Sequence, residues 1–289
     1  MEDVPVGRQR PQPDDRILAP TRWTGAGIVP VLTAAFVILY LLPTRTEALW
    51  AWTIEPPLTP MIMGGGYLSG AYFFLRVARG RQWHRVGWAF LGTIAFTSLL
   101  GLATVLHWDR FNHSHVSFWA WLSLYVSTPV LLPWLWLNNR RTDPRRVEVG
   151  EVVIPATLRR AVGAGGALQL VFALSMFVRP APFIDRWPWM LTPLTARTLA
   201  AFISFPAVTW LCFLFDGRWS SFRIPLETTT IGLALVGLAV ALRADDLTSS
   251  SQTVALYLVL LGVTVTALVA LQVAMARVGR GPGPGGRDE

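Results

Sequence analysis

The sequence has no lysine, a single cysteine and few charges of any kind. Only 15% of its 289 residues are charged, against about 25% in an ordinary soluble domain. The lone Cys212 excludes an intrachain disulfide and a cysteine metal cluster. The Gly-rich run "GRGPGPGG" has no Lys-Ser or Lys-Thr ending and follows no strand, so it is not a phosphate loop. No serine, histidine and acid recommend themselves as a nucleophilic triad. No acid or histidine falls in the middle of a long apolar run, where proton- and sodium-coupled carriers often place ionisable groups.

What is present is apolar. Hydrophobic residues make up 53% of the chain, mean hydropathy is +0.45, and the apolar residues come in long runs broken by short polar ones. This pattern predicts an all-α polytopic transmembrane helical bundle, because backbone groups in lipid must be paired within each helix. Eight candidate spans are expected, at 24–42, 60–76, 86–106, 117–137, 158–178, 197–215, 225–242 and 252–275. The second is short, and the threonines Thr228, Thr229 and Thr230 weaken the seventh.

The formal net charge of +8 comes from 25 arginines against 17 acids. The arginines stand between apolar runs, so they read as topology signals and not as a nucleic-acid surface. With eight spans, 19 of the 25 fall on one side. The positive-inside rule then places both termini in the cytoplasm. The 14 tryptophans lie near predicted span ends and are expected to form headgroup belts.

One odd phrase is written twice: "WAWTIEPPLTP" from Trp50 and "WPWMLTPLT" from Trp187. At an offset of 137 residues Arg22 meets Arg159, Pro43 meets Pro180, Trp50 and Trp52 meet Trp187 and Trp189, and Asp109 meets Asp246. Deleting one residue aligns Pro57-Leu58-Thr59 with Pro193-Leu194-Thr195. The expectation is a four-helix unit written twice. Because four is even, the two units run parallel. The division is a disordered tail at 1–21 (not a signal peptide), a first unit at 22–137, a cytoplasmic linker at 138–157, a second unit at 158–275 and a disordered tail at 276–289.

Both copies of the phrase fall on the outer face. They read either as surface anchors leading into helices capped by Thr59 and by Thr192 or Thr195, or as paired lids over a vestibule. On the lid reading Trp52, Glu55, Gln169 and Trp189 are candidate ligand-binding residues. Gln169 is the most polar mid-span residue, and it either bonds a neighbouring helix or lines a pore. The densest polar cluster, "HWDRFNHSH", supplies His107, Asp109, His113 and His115 as candidate metal ligands, although the spacing imposes no known coordination geometry. The plain alternative is a polar outer loop. Gly66 and Gly70, and Gly163, Gly165 and Gly166, mark places where helices approach closely.

The phrases "WAWTIEPPLTP", "LHWDRFNH" and "WPWMLTPLTAR" resemble those of poorly characterised actinobacterial multi-pass membrane proteins, over most of 22–275. The resemblance implies a bacterial inner-membrane location and a topology, and no activity or site residue. Three functions stand open: transport or sensing of a small or lipid-like solute, a non-transporting scaffold or accessory protein, and a lipid-modifying enzyme using the outer His/Asp cluster. No cofactor is expected. Membrane lipid is the expected partner, with room for an oligomer or a membrane-protein partner. A polar cavity between the units favours transport; a solid interface there favours scaffolding.

Overall fold

The computed structural model describes residues 13–248 and 250–278. Residues 1–12 and 279–289, which hold most of the two expected disordered tails, lie outside the described residues. The chain is all-α. Helix α1 (Ala19–Phe36) continues into a π turn, and α2 (Thr46–Leu49) is a short segment. Then come α3 (Leu58–Arg79), α4 (His84–Leu106) and α5 (Val116–Asn139). The second half holds α6 (Ala156–Val178), the short α7 (Ala181–Ile184), α8 (Pro193–Leu211), α9 (Ser220–Leu242) and α10 (Ser251–Val278).

Seven of these helices are long and apolar enough to cross a membrane. The seven do not include α3, which has 22 residues but carries glycines, tyrosines and serine along its length, and most of it is buried among the others. The helices also begin earlier than the apolar runs suggest. Pro20 fits the first turn of α1, where its missing N–H would be orphaned anyway. The first turns of α4 and α9 are polar, yet helical.

The order of α-helices is the same in both halves: a long one, a short one and three long ones, with a 3-10 turn before the last. The first half adds a π turn and a 3-10 turn before α2, and the second adds a 3-10 turn between α8 and α9. Helices α4 and α9 start at His84 and Ser220 and end at Leu106 and Leu242, a spacing of 136 residues at both ends. The packing is paired too. Helix α1 packs on α3 as α6 packs on α8. Helix α3 lies on α9 as α8 lies on α4, so the two halves interlock. Part of the interface between them is closed by direct contact. A Cβ on Gly92 of α4 would stand 2.4 Å from the Phe205 carbonyl oxygen of α8. Gly166 of α6 meets the α8 backbone as closely, at 2.5 Å from the Leu211 nitrogen. In lipid, such backbone approach is what holds helices together. Gly165 has no neighbour at its Cβ position, so close approach explains Gly163 and Gly166 and not Gly165.

The expected tryptophan belt holds only in part. Trp23, Trp108, Trp119 and Trp134 are exposed, whereas Trp50, Trp52, Trp83, Trp121, Trp189 and Trp219 are buried. The Trp-x-Trp segments turn inward because their backbones are tied down. The Asn112 N–H donates to the Ala51 carbonyl at 2.8 Å, His115 Nδ1 lies 3.0 Å from the Trp50 carbonyl, and the Thr248 N–H donates to the Pro188 carbonyl at 3.0 Å. The surface-anchor reading of Trp52 and Trp189 is thereby corrected: both rings sit in the core.

Candidate functional site

The last helix of each half decides where a cavity forms. In the first half Trp50, Trp52, Phe111 and Trp121 pack ring against ring. One turn beyond Trp121, Tyr125 meets Tyr67 with the two hydroxyls 2.9 Å apart. In the second half Trp189 meets Tyr257 as Trp52 meets Trp121. One turn beyond Tyr257, however, stands Leu261. The aromatic filling is thinner, and α10 touches the body chiefly through α9.

The result is a cavity of about 560 Å³ between α10 and the helices α3, α8 and α9, reaching α6 and, in the first half, α1 at Leu32 and α4 at Thr93 and Phe96. Its walls include Phe73, Phe202, Phe205, Leu233, Tyr257 and Leu261, and no charged side chain. Gln169 of α6 and Trp189 are walls of this cavity. The Gln169 amide is half-buried and makes no hydrogen bond among the described residues. Trp189 donates its indole N–H to Thr59 at 2.9 Å. The other two candidates lie elsewhere. Trp52 packs in the aromatic cluster of the first half, its indole N–H buried without a partner among the described residues, and Glu55 is exposed. The apolar walls explain why sequence reasoning found only the polar residue and the tryptophan: leucine and phenylalanine facing a groove look the same in sequence as those facing lipid.

The histidine-rich loop does not gather. His107 Nε2 lies 2.7 Å from Arg197 NH1, which uses the lone pair a metal would need there. Burial, then Arg197 and Arg110, push His107 below its ordinary value. His113 packs on Trp108 and Phe118, His115 is held to the Trp50 carbonyl, and Asp109 is exposed. Among the described residues no group of three or more His, Cys, Asp or Glu is arranged to hold a metal ion. Asp246, paired with Asp109 in the sequence repeat, accepts the Leu58 N–H at 2.8 Å and so caps α3. Helix α8 is capped by its own Thr192 and Thr195, as expected, while Thr59 serves Trp189 instead.

At the Arg-rich end the structure assembles a polar knot that the sequence did not suggest. Asp15 binds His84 Nδ1, and His84 Nε2 lies 2.9 Å from Ser220 Oγ. The order acid, imidazole, hydroxyl is that of a nucleophilic triad. Yet both the hydroxyl and the N–H of Ser220 donate to Glu151, at 2.7 and 2.9 Å. The serine is therefore used as a fastening and is not presented to a substrate. Beside it Arg218 clamps Asp143 through both oxygens, at 2.8 and 2.9 Å, and also binds Asp216. Burial alone would raise these two carboxyls, and the Arg218 hydrogen bonds outweigh it, holding both below the usual carboxylate value. The partners lie 69 and 136 residues apart in the chain, which is why no local spacing announced the knot.

The chain is a polytopic membrane protein with one large apolar groove opening beside its last helix. No protein-family model, no curated protein and no solved structure matches it.

Proposed function

We propose that this protein takes a lipid-like solute from the bilayer into the groove beside α10, for sensing or for transport. The observation that carries this is the groove itself: about 560 Å³, free of charged side chains, with one unpaired amide at mid-span. That volume lies within the roughly 300–1,000 Å³ typical of small-molecule sites. A solute bearing a carbonyl or hydroxyl satisfies the Gln169 amide, which is otherwise costly to leave unpaired in lipid.

The proposed frame has eight spans, with α3 as the eighth, in two parallel four-helix repeats at 22–137 and 158–275. Both termini and the Arg-rich end face the cytoplasm of a bacterial inner membrane. Support for the repeat comes from paired hydrogen bonds as well as element order. The Ile17 N–H donates to Arg81 and the Ile154 N–H to Gly217; the Trp83 N–H donates to Asp15 and the Trp219 N–H to Val152. Support for the orientation is the arginine split. A cysteine replacing Asn112 in a Cys212-free chain should react with an impermeant thiol reagent in intact cells, and one replacing Arg141 should not; the opposite labelling inverts the orientation.

The groove is tested with a lipid carrying a photoreactive group in its acyl chain. Crosslinks should concentrate on α10 between Tyr257 and Leu268 and on α9. Labelling spread evenly over every lipid-facing helix defeats the reading. The scaffold reading has an observation of its own, the direct packing of α4 on α8 and α3 on α9 along the middle of the molecule. Retention of a second membrane protein after groove-filling substitutions favours it.

A further inference from the structure

The groove has a chamber above it. At the Trp-x-Trp end a second cavity of about 480 Å³ is walled by Asp185, Arg186, Thr248, Ser250 and Thr253. Trp187 and Trp189 are walls of both cavities. One compartment is apolar and uncharged, the other carries one carboxylate, one guanidinium and several hydroxyls, and two indole rings mark the waist between them. Indole suits that place, since its ring packs against hydrocarbon and its N–H meets polar groups.

We propose that the two compartments together hold one zwitterionic phospholipid, with an acyl chain in the groove and its head in the chamber. The proposal rests on the lipid reading of the groove and adds the head-group chemistry. The head carries an anionic phosphate and a cationic ammonium. Arg186 and Asp185 offer the complementary pair, side by side after the short helix α7. Neither forms an ion pair among the described residues. Arg186 NH1 donates to the Pro182 carbonyl at 3.0 Å, which steadies the guanidinium beside the chamber. Two opposite charges favour neither a purely anionic head nor an uncharged one; a zwitterion meets both.

The dimensions agree with one chain in one leaflet. On α10 the groove wall runs from Tyr257 to Leu268. At about 1.5 Å per residue that is about 17 Å, slightly more than half of an about 30 Å hydrocarbon core. The second acyl chain of such a lipid stays in the bilayer.

The test uses the full chain, delipidated in mild detergent and titrated separately with dioleoyl phosphoethanolamine, dioleoyl phosphoglycerol and dioleoylglycerol. Bound lipid is counted by native mass spectrometry. The phosphoethanolamine lipid should bind at least about tenfold tighter than the other two. The double variant Asp185→Asn, Arg186→Gln should bring the three to near parity while still retaining lipid. Leu261→Trp should abolish retention of all three, with Leu233→Trp as a second groove-filling variant if the first does not fold. Equal binding of the three lipids to the native protein, or an unchanged preference in the double variant, overturns the head-group assignment and leaves the groove standing. Undiminished retention in both folded groove variants overturns the groove reading itself.

Discussion

Helices α5 and α10 hold the same place in the two halves and are held in different ways. In α5, 28% of the most apolar stretch is buried; in α10 the figure is 0%. Helix α5 is fastened at three levels. Trp121 donates to Thr104 at 2.8 Å, Tyr125 meets Tyr67, and Trp136 donates to the Gly87 carbonyl at 3.1 Å. At its end Asn139 is fully buried and bonds Thr21, the Arg16 carbonyl and the Leu18 N–H. Helix α10 has Tyr257 against Trp189, Gln272 donating to Thr230 at 2.7 Å, and Met275 in an apolar cluster. The difference teaches how a groove can be made between two halves with similar helix packing. Thinning the aromatic contacts under one terminal helix leaves its partner helices in place and frees a volume beside it.

The comparison breaks most readily at the aromatic rings. Trp121→Ala removes a buried indole that four other rings touch, and it should cost about 3–5 kcal/mol, as large aromatic truncations do. Tyr257→Ala, at the matching place on α10, should cost less than half as much, because the helix around it is already loosely held. Thermal unfolding in detergent measures both. Equal losses would mean that α10 is as firmly seated as α5, and the account of the groove would fall with that.

A smaller effect is expected at the Arg-rich end. Met275 lies 18 residues after Tyr257, as Asn139 lies 18 after Trp121. Asn139→Met therefore gives α5 the residue that α10 uses. It strips partners from the Thr21 hydroxyl and from two backbone groups, at a cost of about 1–3 kcal/mol. If stability is unchanged, the polar clamp is not what separates the two helices, and the aromatic cluster alone must explain the difference.

These contrasts show which parts of the molecule were open to sequence reasoning. The all-α membrane bundle was legible because apolar runs of that length have few other uses, and the recurrence of Trp, Pro and Arg at one offset is what led to the proposed repeat. The destination of the tryptophans was not. Indole favours both the headgroup level and an aromatic core, and what decides for Trp50 and Trp52 is the bond from the Asn112 N–H to Ala51, formed across 61 residues of chain. The groove was hidden because its identity lies in what is missing under α10, namely a counterpart to Tyr125. The knot was hidden because the bonds that bring Asp15, His84 and Ser220 together are long-range.

The smallest expected effect is a pH dependence confined to one half. The residue that ends α4 is His107, and the residue that ends α9 at the matching place is Arg243. His107 is held below its ordinary value first by burial and then by the charges of Arg197 and Arg110. The folded state therefore binds fewer protons at this site than the unfolded state does. Stability contributed by neutral His107 is fully present above the unfolded value of about 6.5 and declines as pH falls through that value toward the folded one. Protonation also removes the lone pair that receives Arg197 NH1. At the matching place the second half has Arg243 and no imidazole, so it has no such dependence there. Asp143 and Asp216, whose carboxyls are held below the usual range, stay ionised across the same interval. Thermal midpoints measured at pH 7.5 and 5.5 should thus differ less in His107→Gln than in the native protein. Because His107 is half-exposed, the difference should amount to a degree or two and not to unfolding. An identical acid slope in the two proteins would show that the Arg197 contact does not govern His107, and would remove this contrast between the halves.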